Sequence, residues 1–394
     1  MNLFHFEQHQ DHPFSDRNID DFLNNIVYSL ARETTQNSGD AAEIWPVKIN
    51  FDLDEIRVDD IPKLSEFKGI IASCSDVAKL GKDVREQEIL STMKSVLDKQ
   101  TIKVLSIADY NTSGLGGRFS RGEPFHTLVK TQGTTAKVMQ GSGGSFGVGK
   151  NAATAASTLR TVFYSTINGS DGKFSCMGKA ILRTWDDAEG NLRDRFVFWG
   201  DTAKDLEPVV DPSHVKSWLK RDKPGLTTHI LAPHHAFGSD WALKLAIVLV
   251  ENFYTAIHDG SLEFSIDHES IILNSSNLSA RFKEYLALDD LRDIAPLKTA
   301  HQMHIALTAD DSYRETFTIK DVDFDLVMYC SNLKEILSNL VEVQNDEHNK
   351  YEYLEHEIQF HSEDYSITKS MLLKTIQEKD GSVRKDRTTS SRNT

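Results

Sequence analysis

The chain has 394 residues, of which 39% are hydrophobic and 26% charged, so it is long enough for two domains and has the composition of an ordinary globular protein. Its formal net charge of −15 argues against nucleic-acid binding by the chain as a whole, so any DNA contact must come from a local basic patch or from a partner. The cysteines Cys74, Cys176 and Cys330 form no CxxC pair, which argues against a disulfide framework and a zinc ribbon.

The longest apolar run covers residues 241–250 and is interrupted by Lys244, which predicts a buried helix and not a membrane span. The amino terminus has no basic segment followed by an apolar stretch and a small-residue cleavage site. We therefore expect a cytoplasmic protein that has no membrane partner.

The first part of the chain alternates helix and strand patterns. Apolar residues at three- and four-residue spacing predict a helix from residue 18 through Leu30, and alternation over 45–53 predicts a half-buried strand. A second helix is predicted over 83–98, followed by a buried strand over 102–108 that ends on Asp109. The stretch 111–149 is rich in Gly, Ser and Thr and is too long for an ordinary connection, which indicates a functional lid or a disordered insert.

After the lid, a strand-rich region changes into a region with a long helix. Antiparallel strands are predicted over 162–167, 174–185, 196–199 and 226–231, and a helix over 241–257. The change of pattern at 233–238 predicts a domain boundary. We therefore expect domains at 1–235 and 236–344, followed by an acidic helical segment and disordered tail at 345–394, with further strands over 261–266, 303–307 and 317–328.

Three polar residues continue the buried face of the first helix. Steps of four and three residues from Ile26 and Leu30 lead to Glu33, Asn37 and Asp40. A carboxylate and an amide one turn apart can orient a water molecule and hold Mg²⁺ through oxygen ligands. The alternative is that the helix frays after Leu30 and that these residues are solvated.

Asp109 ends an apolar strand and is followed by a small-residue turn that contains Asn111, Gly114 and Leu115. Its carboxylate can accept a hydrogen bond from an exocyclic amine, and the glycine lets the backbone approach a planar base. The alternative is an ordinary turn at the end of a strand.

The predicted lid ends in a glycine cluster, GGSFGVGKNAA. Gly144, Gly147 and Gly149 let backbone amides point at phosphate oxygens, and the following helix N-terminus adds its dipole. The same letters satisfy the phosphate-loop pattern GxxxxGK, but that class needs Ser or Thr after the lysine, and this chain has Asn151. The preceding TTAKVMQ is also a poor buried strand, so we favour the first interpretation.

Together these patterns resemble the GHKL ATPase superfamily, which includes gyrase, heat-shock chaperone ATPases, histidine kinases and the MutL and MORC proteins. Four motifs carry the resemblance, in the family's order: motif 1 (ETTQNSGDA, 33–41), motif 2 (SIADYNTSGLGG, 106–117), motif 3 (GSFGVGKNA, 144–152) and motif 4 (GLTTHI, 225–230). The resemblance covers residues 1–235. Beyond them the chain loosely resembles bacterial MORC-like and MutL-like proteins.

The resemblance implies an α+β fold, in which a GHKL (Bergerat) α/β sandwich ATPase domain precedes a smaller α+β transducer-like domain. It implies that Glu33 is the catalytic general base, that Asn37 holds Mg²⁺, and that Asp109 binds adenine with Thr228, which strand alternation favours over Thr227. The ATP-binding residues that it implies are Asn37, Asp40, Asp109, Asn111, Gly114, Leu115, Gly144, Ser145, Phe146, Gly147, Val148, Gly149, Lys150 and Thr228.

One departure from the family occurs in motif 2. The family has glycines two and four residues after the adenine-binding Asp, where this chain has Asn111 and Ser113, and Gly114 arrives one residue late. The resemblance implies ATP binding and slow Mg²⁺-dependent hydrolysis that drive lid closure and homodimerisation. It also suggests DNA processing or antiphage defence, with a nuclease or another protein as partner. The alternative is a non-catalytic ATP-sensing interaction module.

Overall fold

The structure is a computed structural model that describes residues 1–14, 19, 22–116, 121–131, 151–201, 206–288, 294–310, 312–319 and 322–328. The chain divides into two compact units, Met1–Ala300 and His301–Thr394. The predicted boundary near residue 235 falls inside the first unit. The three-part division of the chain stays a prediction about which segments fold independently.

A large mixed sheet forms the centre of the first unit. The strands of this unit are β1 (Asn2–Phe4), β2 (Val47–Arg57), β3 (Thr101–Tyr110), β4 (Thr161–Ile167), β5 (Phe174–Ile181), β6 (Trp185–Asp186), β7 (Leu192–Arg193), β8 (Phe196–Gly200), β9 (Gly225–Leu231), β10 (Leu262–Ile266) and β11 (Ile271–Leu273). Among the described residues, β6 and β7 pair with each other, and the other strands form one nine-stranded sheet in the order β1-β8-β5-β4-β9-β3-β2-β10-β11. Neighbouring strands of the sheet are antiparallel, except β10 and β2, which are parallel.

Helices cover both faces of the sheet. The helices are α1 (Ile26–Asp40), α2 (Leu64–Gly81), α3 (Val84–Leu97), α4 (Pro124–Lys130), α5 (Asn151–Ala155), α6 (Trp241–His258), α7 (Leu278–Leu286) and α8 (Ala295–Thr308). One core joins the apolar faces of α1, α6 and α7 to Ile107 of β3, and the other joins α2 and α3 to Val104. The strand contributes to both cores because successive side chains point to opposite faces. Each large apolar side chain that is fully buried contributes roughly 1.5–3 kcal/mol.

The burial along the strands follows from their places in the sheet. In β2, Val47, Ile49 and Phe51 are fully buried, whereas Lys48 between them is exposed, as the predicted half-buried strand requires. In β4 and β5, which lie nearer the middle of the sheet, nearly every residue is buried because helices or connecting segments cover both faces. β9 lies between these central strands and β3, and it pairs with both β4 and β3.

The predicted α+β fold class is confirmed, since helices flank a large sheet. The strand predicted over 303–307 is wrong, because these residues belong to α8, and a short apolar run cannot separate a strand from a buried helix. α2 has no counterpart among the predicted elements, although Phe67, Ile70 and Cys74 carry helical spacing on its buried side. α1 continues to Asp40, so the alternative in which it frays after Leu30 is also wrong.

In the second unit, β12 (Tyr313–Ile319) and β13 (Val322–Met328) pair in antiparallel register. The strand content predicted over 317–328 is therefore confirmed. The acidic segment and tail predicted over 345–394 lie outside the described residues. Within the part of the chain that the structure describes, no helix has both the length and the apolar character needed to cross a membrane.

Candidate functional site

The carboxylate of Asp109 lies at the carboxyl end of β3, where the residue is 7% exposed. Three donors from different parts of the chain hold it. Ser38 Oγ of α1 donates to Oδ2 at 3.1 Å, and Thr112 Oγ1 donates to Oδ1 at 2.6 Å. The backbone nitrogen of Leu226, in β9, also donates to Oδ1, at 2.8 Å. The carboxylate is therefore fixed by charge-assisted hydrogen bonds from two hydroxyls and one amide.

The end of α1 differs from its predicted arrangement. Glu33 is half-buried, and Asn37 and Asp40 are exposed, whereas the buried polar residues of this part of the helix are Thr35 and Ser38. The expectation that these residues continue the buried face is therefore wrong for Asn37 and Asp40, whereas Glu33 is partly buried. The spacing of four and three still places these three residues on one side of the helix, next to the turn that carries Ser38.

The buried stripe of α1 continues from Ala31, not from Leu30 alone. Steps of four and three residues from Ala31 lead to Thr35 and Ser38, and both Leu30 and Ala31 are fully buried. The inward face of the helix thus ends on a serine that contacts Asp109. Motif 1 meets motif 2 through this hydroxyl.

Asn111 accounts for the departure from the family's glycine pattern. Its φ is +65°, in the left-handed region, which asparagine enters more readily than most residues with a side chain. Its Nδ2 donates to Pro46 O at 2.7 Å, and its carbonyl accepts from the amides of Glu43 and Ile44 at 2.9 and 3.1 Å. The side chain of Asn111 therefore holds the loop between α1 and β2.

The backbone after Asn111 approaches β4 closely. Gly114 has φ +62°, and a Cβ there would overlap the carbonyl of Ile167, so a glycine is required. The amide of Leu115 donates to Thr166 Oγ1 at 2.9 Å, and the Leu115 side chain contacts the core that contains α1. Both predicted residues thus have structural contacts beside the Asp109 turn.

Thr228 lies in β9 between β3 and β4. It pairs with Ile107 on one side and with Tyr164 on the other. Cross-strand partners share a face, and alternate residues of one strand do too, so Thr228 lies on the same face as Asp109. Thr227 lies on the opposite face. The contact of Thr228 with adenine stays a prediction.

Most of motif 3 lies outside the described residues, including the predicted phosphate contacts Gly144, Ser145, Phe146, Gly147, Val148, Gly149 and Lys150. The structure describes the chain again at α5, which follows directly. Ala152, Ala153 and Ala155 of this short helix are buried, and α5 packs against α1. The small residues after the motif are explained by this close packing.

Four residues near Asp109 are absent from the predicted set: Ser38, Thr112, Arg221 and Gly225. Ser38 belongs to motif 1, Thr112 to motif 2 and Gly225 to motif 4, so the motifs already contained a signal for these three. Gly225 has φ +125°, and a Cβ there would lie 2.6 Å from Asp109 Oδ1. Arg221 belongs to no motif, and its connection to Asp109 is visible only in the structure.

Burial changes the pKa of three groups near Asp109, those of Tyr110, Arg221 and His229. Burial raises the pKa of Tyr110, and the charge of Arg221 opposes that change. Burial is also the largest effect on Arg221 and lowers its pKa, whereas the charge of Asp109 raises it. The pKa of His229 falls to about 3 because the ring is completely buried, so this histidine is neutral at physiological pH. Its Nδ1 lies 3.0 Å from Ser106 Oγ, as expected for a core histidine.

The site thus consists of a carboxylate, a group that accepts hydrogen bonds, at the end of a strand in the mixed β-sheet. A threonine lies on the same face of the sheet, and polar groups lie on the adjoining helix. No protein-family model matches the chain, and no curated protein does. Similar solved structures include the ATPase and transducer domains of DNA topoisomerase II from Balamuthia mandrillaris, at 13% identity and a TM-score of 0.34, covering 66% of this chain and 50% of that chain.

Two further structures have the same TM-score of 0.34. The ATPase region of Saccharomyces cerevisiae topoisomerase II bound to dexrazoxane has 10% identity, over 72% of this chain and 60% of that chain. The 43K ATPase domain of Thermus thermophilus gyrase B in complex with an aminocoumarin has 13% identity, over 78% of this chain and 61% of that chain. The chain thus spans 50% to 61% of the length of these three structures. At these identities, the functional assignment depends on the geometry around Asp109.

Proposed function

We propose that this chain binds ATP with Mg²⁺ and hydrolyses it slowly. The observation that supports the proposal is the meeting of three separate motifs at one carboxylate. Asp109 of motif 2 accepts from Ser38 of motif 1 at 3.1 Å and from Leu226 of motif 4 at 2.8 Å. Motifs that resemble one family in order and also meet in space are a stronger argument than either property alone.

Asp109 has the chemistry required to recognise adenine. An ionised carboxylate only accepts hydrogen bonds, so it can pair with the exocyclic amine of adenine. It repels a purine that has a carbonyl oxygen at the same position, because both groups are acceptors. Within the described part of the chain, Oδ1 accepts from Thr112 and Leu226, whereas Oδ2 accepts from Ser38. Oδ2 is therefore the oxygen proposed to accept from the base. Thr228, on the same face of the sheet, is the proposed second contact.

The side of α1 that carries Glu33, Asn37 and Asp40 is proposed to meet the phosphates. Asn37 is exposed, and its amide oxygen is a suitable ligand for Mg²⁺, which usually takes one or two protein oxygens and completes its shell with phosphate and water. When bound, Mg²⁺ neutralises charge on the phosphate oxygens. Glu33, one turn before Asn37, is the proposed general base that orients the attacking water. Asp40 and the motif 3 residues complete the proposed site.

The wider function is proposed from the resemblance. Residues 111–149 would close over ATP, and two copies of the chain would then associate until hydrolysis separates them. Residues 117–120 and 132–149 of this segment lie outside the described residues. A cytoplasmic, MORC-like or MutL-like role in DNA processing or antiphage defence, with a nuclease or another protein as partner, belongs to the same proposal. The transducer-like second domain is part of it as well.

The adenine assignment is tested with Asp109→Asn. The amide removes the charge and presents a donor to the adenine amine, so ATP affinity should fall about 10- to 100-fold, as expected for a hydrogen bond to a charged group. Isothermal titration calorimetry with ATP and Mg²⁺ measures it. Asp186→Asn, at an exposed position of β6, is the matched control and should bind as the parent does. Equal affinity of Asp109→Asn and the parent would remove Asp109 from adenine recognition.

A further inference from the structure

Arg221 precedes β9 and has a buried guanidinium, with the residue 9% exposed. It lies in the connection between the short 3₁₀ helix Ser217–Leu219 and β9. A buried arginine that lacks partners is strongly unfavourable, so its hydrogen bonds indicate what it stabilises. Neither the motifs nor the family resemblance assigns a role to this residue.

Every N–H of the guanidinium has an acceptor. Nε donates to Lys223 O at 2.8 Å, and Nη1 donates to Leu226 O at 3.0 Å and to Thr227 Oγ1 at 2.6 Å. Nη2 donates to Pro224 O at 2.8 Å and to the main-chain carbonyl of Asp109. Arginine has five N–H donors, and these five acceptors use all of them. The side chain thus joins the segment before β9 to the end of β3.

The orientation of the guanidinium is fixed from a second direction. Arg221 Cζ lies 4.8 Å from the centre of the Tyr110 ring, the residue directly after Asp109. A planar guanidinium over an aromatic face gains a cation–π attraction, and its rigid fork fits several acceptors at once. Tyr110 is itself half-buried. Arg221 therefore holds β3 through a carbonyl at one residue and a ring at the next.

Gly225 allows this close approach. A Cβ at Gly225 would overlap Arg221 Nη2 and Asp109 O, and would lie 2.6 Å from Asp109 Oδ1. The space between the guanidinium and Asp109 therefore has no room for a side chain. Thr227, which Arg221 contacts, points to the face opposite Thr228, so the arginine does not use the face proposed for the base.

Accepting the proposed function, we propose that Arg221 is a positioning residue for adenine recognition. It holds the backbone of Asp109 while leaving both carboxylate oxygens to weaker, neutral donors. Without the guanidinium, the main-chain carbonyl of Asp109 loses its link to the segment 221–224, and Asp109 Oδ2 moves from the position that receives the adenine amine. The loss should therefore fall on the part of the affinity that depends on this amine.

The test compares ATP with purine riboside 5′-triphosphate, which lacks only the 6-amino group. Calorimetry with Mg²⁺ gives both affinities for the parent, Arg221→Gln and Arg221→Lys. The parent should prefer ATP by about 10-fold or more, as for a hydrogen bond to a charged acceptor. In Arg221→Gln this preference should fall to about 3-fold or less, mainly through weaker ATP binding. Arg221→Lys has three donors in place of five and should give an intermediate preference.

Arg195→Gln is the matched control, because Arg195 also covers an aromatic ring. Its Cζ lies 4.9 Å from the centre of the Phe196 ring, and Phe196 belongs to β8, which is remote from β3 in the sheet. Its variant should keep the parental preference. If Arg221→Gln does not fold, as judged by circular dichroism, Arg221→Lys decides. A parental preference in the folded Arg221 variants overturns the positioning role and leaves ATP binding intact. A parent that binds neither nucleotide overturns the proposed function and this role with it.

Discussion

Two buried arginines in the first unit contact acidic residues in different ways. Arg183, just after β5, donates through Nη1 to the carboxylate of Glu86 in α3. The other oxygen of Glu86 accepts from the amide of Phe14, and Arg183 Nη2 lies 3.3 Å from the carboxylate of Asp11. Here the arginine neutralises carboxylates directly and attaches the amino-terminal segment to α3.

At the other site, Arg221 contacts the carbonyl of Asp109 and not its carboxylate. The carboxylate is left to Ser38, Thr112 and the Leu226 amide. Hydroxyl donors can rotate toward other acceptors, whereas separating a buried ion pair costs a large free energy. The comparison indicates that the Arg183 cluster stabilises the fold, whereas the Asp109 cluster holds an acidic group in place through neutral donors, as the proposed contact with adenine requires.

The largest expected effect concerns the Arg183 cluster. Glu86→Gln keeps the size of the side chain but leaves the Arg183 charge without its buried partner, so the free energy of unfolding should fall by about 3 kcal/mol. Urea unfolding measures it. Asp59→Asn, which removes the exposed partner of Arg57, is the control and should change stability little. If the folded Glu86→Gln protein also bound ATP more weakly than the folded Asp59→Asn protein, the proposed separation of roles between the Arg183 and Asp109 clusters would be wrong.

The next effect separates catalysis from binding. Glu33→Gln removes the proposed base but keeps the size of the side chain, so turnover should fall about 100-fold or more while ATP affinity changes little. Phosphate release measures turnover, and light scattering should reveal an accumulating ATP-bound dimer. Glu88→Gln, at an exposed position of α3, should keep the parental rate. Parental turnover in Glu33→Gln would exclude Glu33 as the base. ATP binding by a parent with no turnover would favour the ATP-sensing alternative.

The smallest effect concerns a neutral donor at the Asp109 cluster. Ser38→Ala removes one hydrogen bond to Oδ2, so ATP affinity should fall about 5-fold, near the 1 kcal/mol typical of one hydrogen bond. Calorimetry is sensitive enough for this difference, and Ser95→Ala at an exposed site of α3 is the control. Tighter ATP binding by Ser38→Ala would mean that the hydroxyl competes with the base and does not orient the carboxylate.

Local periodicity was sufficient for much of the sheet and for one feature of the site. The period-two pattern predicts β2 and β9, an apolar run predicts β3, and alternation in β9 also separates the faces of Thr227 and Thr228. The same reasoning was ambiguous for α1, because Leu30 and Ala31 are both fully buried. Following Leu30 leads to Glu33, whereas following Ala31 leads to the residues that the structure buries.

Longer-range features were not accessible from the sequence. The contact between Arg221 and Asp109 joins residues 112 positions apart, and no periodicity connects them. The left-handed conformation of Asn111 is equally hidden, because most asparagines occupy ordinary backbone regions. The sequence lacks a glycine at position 111, whereas the structure shows that Asn111 adopts the left-handed conformation that a glycine would permit.

The outermost strands of the large sheet are short, and this limits self-association of the protein through its strand edges. Among the described residues, the outermost strands are β1 and β11, and each is three residues long. An edge strand has unpaired N–H and C=O groups that can recruit a strand from another molecule, and short edge strands limit this hazard. The long strands β2 and β3 lie inside the sheet, where β3 pairs with β2 on one side and with β9 on the other, and β2 also pairs with β10 over residues 47–51. The outermost strands therefore offer few backbone groups that another chain could extend into an aggregate.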